Sequence, residues 1–201
     1  MTRLPAPAVP MCKAAFEHPA TTKAYRRLVR RRGGWCAASI IGPALLTTAC
    51  ISLQKTEVAI SWVAITLLVS LPVIPFLAMG LLGAPRMARI LQCYPWRAYP
   101  CRYVPRSRDY VLVLTIAPNH EVAIYTVPYR CDLRHKQNGH VEVIWFAGDP
   151  TCGGVASPAG GHFPQRVVTK PPNRDEPQPS PDDVAERAGL AKNGRYLRPW
   201  F

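Results

Sequence analysis

Three groups of residues in this chain have side chains or spacing suited to chemistry: five histidines, seven cysteines and one glycine-rich stretch. A metal centre needs His or Cys donors at close, paired spacing, so that one local element offers two ligands to the same ion. His18, His120, His135, His140 and His162 show no such spacing. His135 and His140 are near each other, but a turn is predicted between them at Asn138-Gly139, and no cysteine pair lies upstream. Cys12, Cys36, Cys50, Cys93, Cys101, Cys131 and Cys152 include no C-x-x-C pair. Their odd number fits neither a zinc site nor the disulfide framework of a small secreted domain, so reduced thiols are expected.

The glycine-rich stretch is WFAGDPTCGGVASPAGG, residues 145–161. It invites a phosphate-loop reading but lacks the Lys and Ser/Thr of G-x-x-x-x-G-K-[ST]. No helix is predicted after it, and it does not fit G-x-G-x-x-G. Its glycines are expected to serve tight turns with positive φ, and Asp149 before Pro150 to initiate a turn. G-x-S-x-G and H-E-x-x-H are both absent. The expectation is a protein that is not an enzyme, with no metal and no cofactor.

Charge is the remaining chemistry. The formal net charge is +13, which points to an anionic partner, either nucleic acid or an anionic membrane surface. The positions of the cations favour the second. Lys23, Arg26, Arg27, Arg30, Arg31 and Arg32 stand directly before an apolar run, Arg86 and Arg89 directly after another, and Arg97 follows. Arg26, Arg27, Arg30, Arg31, Arg32, Arg86, Arg89 and Arg97 are therefore the expected contacts to anionic lipid headgroups. No nucleic-acid motif accompanies the charge, and nucleic acid is the least favoured partner.

The elements that would position these arginines are two charge-free runs. Residues 35–53, WCAASIIGPALLTTACISL, are rich in small and hydroxyl side chains and contain Pro43. Residues 58–82, VAISWVAITLLVSLPVIPFLAMGLL, contain Pro72 and Pro75. A helix of ~20 apolar residues crosses a ~30 Å hydrocarbon core, so the two runs predict a transmembrane helical hairpin. Only Gln54, Lys55, Thr56 and Glu57 separate them. Neither run reads as a signal peptide. With one lysine in that link and many cations on the outer flanks, the positive-inside rule predicts a multi-pass protein of the plasma (inner) membrane with both termini cytoplasmic. Residues 1–34 then form a basic cytoplasmic segment. An amphipathic helix after Pro19 and a disordered basic leader are both open for it.

After residue 84 the texture changes. Pro95, Pro100 and Pro105 punctuate CYPWRAYPCRYVP, predicting an extended lead-in rather than a helix. Trp96 and Tyr99 read equally well as interfacial aromatics and as packing against the following domain. Residues 110–117 and 121–127 predict a hairpin around Pro118-Asn119-His120, and residues 140–147 a further strand. Val155 and residues 165–169 add shorter ones. Four or five strands predict a small β-rich cytoplasmic domain over residues 84–170, an antiparallel sheet or partly closed barrel. Residues 171–183 predict a proline-rich linker, Ser180 and Pro181 the cap and first position of a short helix to about residue 191, and the final residues a basic-aromatic tail.

The combination R-M-A-R-I-L at 86–91, P-W-R-A-Y-P-C-R at 95–102, W-F-A-G-D-P at 145–150, G-G-V-A-S-P-A-G-G at 153–161 and A-E-R-A-G-L at 185–190 resembles uncharacterised two-span membrane proteins of high-GC actinobacteria. The resemblance covers most of the chain after residue 35. It implies membrane residence and carries no activity or site residue.

These features predict a membrane-anchored interaction module whose partners are a bilayer with anionic headgroups and, in addition, a membrane protein or a second copy of the chain. The alternative is an accessory subunit of a transporter or envelope-assembly complex, for which the small residues of the first run would supply helix-packing surface.

Overall fold

The computed structural model describes residues 8–52, 56–106, 109–117, 120–127, 133, 142–169, 181, 183–192 and 195–197. Its elements are a 3-10 turn (Ala15–Glu17), helices α1 (Pro19–Ser52) and α2 (Thr56–Cys93), strands β1 (Arg97–Arg106), β2 (Asp109–Ala117), β3 (His120–Thr126), β4 (Val143–Asp149), β5 (Gly153–Pro158) and β6 (Gln165–Thr169), helix α3 (Asp183–Arg187), and the short strands β7 (Ala191–Lys192) and β8 (Arg195–Tyr196). They fall into two compact units. One comprises Met1–Arg26 with Pro85–Phe201, and the other Arg27–Ala84.

The expected transmembrane hairpin is corrected. Among the described residues, no helix is long and apolar enough to cross a membrane. Both apolar runs lie in helices, but the first shares α1 with the whole cation cluster from Lys23 to Arg32. Its own residues include Ser39, Gly42, Pro43, Thr47 and Thr48, which dilute its apolar character. The hydroxyls of Ser39, Thr47 and Thr48 donate to carbonyls one turn back, at 2.9, 2.8 and 2.9 Å, as such residues do inside helices. In α2 the described side chains before Pro85 include Ser61, Ala64, Pro75 and Ala78. The multi-pass plasma-membrane placement, with both termini cytoplasmic, falls with the spans. So does the description of residues 84–170 as a cytoplasmic domain.

In the first unit, six antiparallel strands close into a barrel in the order β1-β2-β3-β6-β5-β4, with β4 returning to β1. A barrel this small is filled by its own side chains. Cys101, Leu112, Leu114, Ile124, Ile144, Phe146, Ala156 and Val167 form that filling, together with Leu133. Alternation along each strand explains the set, since residues two apart share a face.

Two strands depart from the sequence reading. The proline-punctuated lead-in is strand β1. Pro100 pairs with Val143 where the ladder to β4 ends, and Pro105 pairs with Tyr110 next to the end of the ladder to β2, positions where a missing N–H is tolerated. The stretch 153–158, expected as turns around a short strand at Val155, is strand β5 throughout, buried along its whole length. Gly153 has the expected positive φ, 118°, and both glycines serve close approach. A Cβ on Gly154 would lie 2.3 Å from the Ala147 carbonyl oxygen, and one on Gly153 2.6 Å from that of Val167. Gly160 and Gly161, at φ 101° and 69°, make the turn after β5.

The turns at Asn138-Gly139 and Pro118-Asn119, the linker 171–180, Ser180 and the last four residues lie outside the described residues. Helix α3 starts at Asp183, with Asp183 and Glu186 in its first turn, where carboxylates face the positive end of the helix.

Candidate functional site

The arginines singled out by sequence are spread over three elements. Arg26, Arg27, Arg30 and Arg31 are exposed on α1. Arg32 is half-buried, and its Nη1 donates to the Gly80 carbonyl oxygen at 2.9 Å. Arg86 and Arg89 are exposed near the end of α2, and Arg97 is exposed at the first residue of β1. An exposed ion pair joins Arg102 on β1 to Glu121 on β3.

One of the eight, Arg86, reaches a cleft on the barrel's outer side. The cleft is lined by Arg86, Cys152, Arg166, Val167, Val168, Gly189, Leu190 and Leu197. Strand β6 places Arg166 there. Its neighbour Val167 belongs to the barrel interior, so alternation turns Arg166 outward. Gly189, at φ 73°, turns the chain after α3, and the Leu197 N–H donates to the Leu190 carbonyl oxygen at 2.8 Å, closing the tail over this side. Burial, and then the charge of Arg86, push the Arg166 guanidinium below its usual range. Asp149, just before Cys152 in the chain, is engaged locally: it accepts from the Thr151 N–H at 2.8 Å and the Thr151 hydroxyl at 2.7 Å. Two guanidinium groups thus line one cleft, and no described carboxylate pairs with either. Such an arrangement can hold an anion.

A second cluster is structural. The Trp96 Nε1–H donates to the Thr21 hydroxyl at 3.0 Å, and Trp145 packs against both Trp96 and His18, with ring centroids 6.1 and 5.6 Å apart. The Ala15 N–H donates to the Tyr94 carbonyl oxygen at 2.8 Å. Gly161 lies so close that a Cβ there would stand 2.5 Å from the Thr21 hydroxyl oxygen. Of the two readings of Trp96, packing is the one the structure shows, at 3% exposure. Tyr99 meets Phe146 edge-on at 6.0 Å.

Among the described residues, no group of His, Cys, Asp or Glu could hold a metal ion. Cys12, Cys36, Cys93, Cys101 and Cys152 are free thiols. His135 and His140 lie outside the described residues.

Sequence reasoning found Arg86 and missed Arg166. A single cation in the strand QRVVT was the available signal, because a charge in a strand whose next residue, Val167, faces the core lies on the outer face.

The fold and the cleft therefore define a closed six-stranded antiparallel barrel carrying an arginine pair that no described carboxylate compensates. Comparison of the chain with protein-family models, curated proteins and solved structures finds no match. The actinobacterial resemblance accordingly rests on the quoted motifs alone.

Proposed function

We propose that this chain is a binding module rather than a catalyst, and that its α1 arginines engage an anionic surface, with lipid headgroups as the partner class. The observation that carries this reading is the disposition of Arg27, Arg30 and Arg31. They are exposed on one helix, at spacings that make them neighbours on one face, and no described residue neutralises them. Like charges so placed repel and weaken the helix slightly, and an anionic surface relieves that repulsion. Each such cation near an anionic leaflet contributes about 1 kcal/mol, roughly a fivefold change in partitioning.

The test is sedimentation of the full chain with lipid vesicles. Binding should require anionic lipid, should fall as salt rises, and should drop about 100-fold when Arg27, Arg30 and Arg31 are all changed to Gln. Equal binding to zwitterionic vesicles, or a triple variant that binds as well as the parent, would overturn the reading.

A second reading follows from the apolar side chains exposed on the unit 27–84. Trp35, Ile40, Ile41, Leu45 and Leu46 on α1, and Ile65, Leu68, Met79 and Leu82 on α2, are each 45% exposed or more. Exposed apolar surface on this scale marks a contact surface, and supports an accessory subunit whose helical unit is covered by another protein chain. Mild purification followed by mass measurement of the intact particle decides it: a stoichiometric partner supports the subunit reading, and a monodisperse single chain removes it.

A further inference from the structure

We propose that the cleft between Arg86 and Arg166 is a binding site for a small tetrahedral oxyanion of the phosphate class. The cleft joins elements remote in sequence: the end of α2, the turn between β4 and β5, strand β6, and the segment after α3. It lies wholly within the barrel-containing unit. Its free space is ≈ 20 Å³, room for about one water molecule. That space accepts an oxygen or two of an anion whose remainder sits at the mouth, and it excludes a bulky organic body.

Charge selects the class. Two guanidinium groups face one small volume without a described counter-ion, and each offers a planar fork of N–H donors. A carboxylate has two oxygens and a single charge, so it would satisfy one fork and leave the other cation uncompensated. A phosphate has more oxygens and nearly two charges, enough to accept from both forks. Val168, Leu190 and Leu197 also line the cleft. With the anion absent, the two cations repel each other across the cleft. Arg166 carries the greater penalty, because it is the more buried of the pair. A free phosphate and the terminal group of a phosphomonoester lipid present the same oxygens, and the experiment below tells them apart.

This site is separate from the α1 arginines, and the two proposals stand or fall independently. The experiment is thermal unfolding and calorimetric titration of the full chain with inorganic phosphate against chloride at equal ionic strength. Phosphate should raise the unfolding temperature above that in chloride. Arg166→Gln and Arg86→Gln should each weaken phosphate binding by about tenfold or more. Each should also raise the unfolding temperature in chloride, because each removes the repulsion. That second sign separates loss of a site from loss of the fold. Arg102→Gln, remote from the cleft, should leave the phosphate response unchanged.

Vesicles bearing a phosphomonoester headgroup, set against vesicles bearing only phosphodiesters, distinguish the two sources. A preference abolished by Arg166→Gln assigns the lipid, and its absence alongside a phosphate response assigns the free ion. Arg27, Arg30 and Arg31 changed together to Gln should leave the phosphate response intact. The proposal is overturned if phosphate stabilises no more than chloride, or if Arg166→Gln retains parental affinity.

Discussion

On strands β4, β5 and β6 most side chains turned away from the barrel interior are as buried as those turned inward, while Val143, Asp149 and Arg166 are half-buried. Trp145, Ala147, Val155, Ser157 and Val168 are all 4% exposed or less. On β1, β2 and β3 the corresponding outward set is open. Arg102, Val104 and Glu121 are exposed, Val111, Ala123 and Tyr125 are half-buried, and Val113, at 9%, is the most covered. The strands of the two halves pair in the same antiparallel manner, so the difference comes from what lies outside the sheet. Over Trp145 lie His18, Thr21 and Trp96. Beside Val168 lie Gly189, Leu190 and Leu197. Ala15 and Thr21 near the start, and Ala188, Leu190 and Ala191 after β6, are therefore parts of the core, and the open half is the surface on which substitutions should matter least.

Mutations that sample both halves test this. Trp145→Ala empties a large buried volume and should cost about 3–5 kcal/mol in urea unfolding, whereas Val104→Ala on the open half should change stability by no more than about 0.5 kcal/mol. Similar costs at the two positions would break the comparison. Gly154→Ala places a methyl group against backbone and should cost about 3 kcal/mol. Thr21→Val leaves the buried Trp96 N–H without its acceptor and should cost about 1–3 kcal/mol, with Thr21→Ser restoring most of it. Arg102→Gln breaks an exposed ion pair on the open half and should cost only about 0.2–1 kcal/mol.

The smallest effect belongs to Tyr25, whose phenol burial pushes above its ordinary value of 10.0. The unfolded chain then releases this proton at lower pH than the folded one. Its contribution is full below pH 10.0 and is lost as pH rises through the higher folded value. Urea midpoints above pH 10.0 should fall less steeply in Tyr25→Phe than in the parent.

Legibility in the sequence cut across the two halves. Strands β2, β3 and β6 follow runs of β-branched and aliphatic residues, YVLVLTIA, EVAIYTV and QRVVT, whose side chains advertise a pleated surface. Strands β1 and β5 carry Pro100, Pro105, Gly153, Gly154 and Pro158, residues that locally signal breaks. Their strand character comes from neighbours instead: ladder ends that need no proline N–H, and backbones that approach where no Cβ would fit. A similar conflict hid the helix boundary. The arginine run looked like a border before an apolar helix, but arginine is a good helix former, and α1 runs straight through it. The arginine pair of the cleft was half legible, because Arg86 and Arg166 meet only through tertiary folding.

The pairing of β1 with β4, and of Thr21 with Trp96 across 75 positions, sets an order of events during synthesis. A ribosome adds about 5–20 residues per second, so Trp145 emerges on the order of ten seconds after Thr21. Throughout that interval the early segment lacks the Trp145 face it packs against, and β1 has no partner on one side. A chaperone that recognises this nascent chain has its opportunity then, and the arrival of β4 ends it.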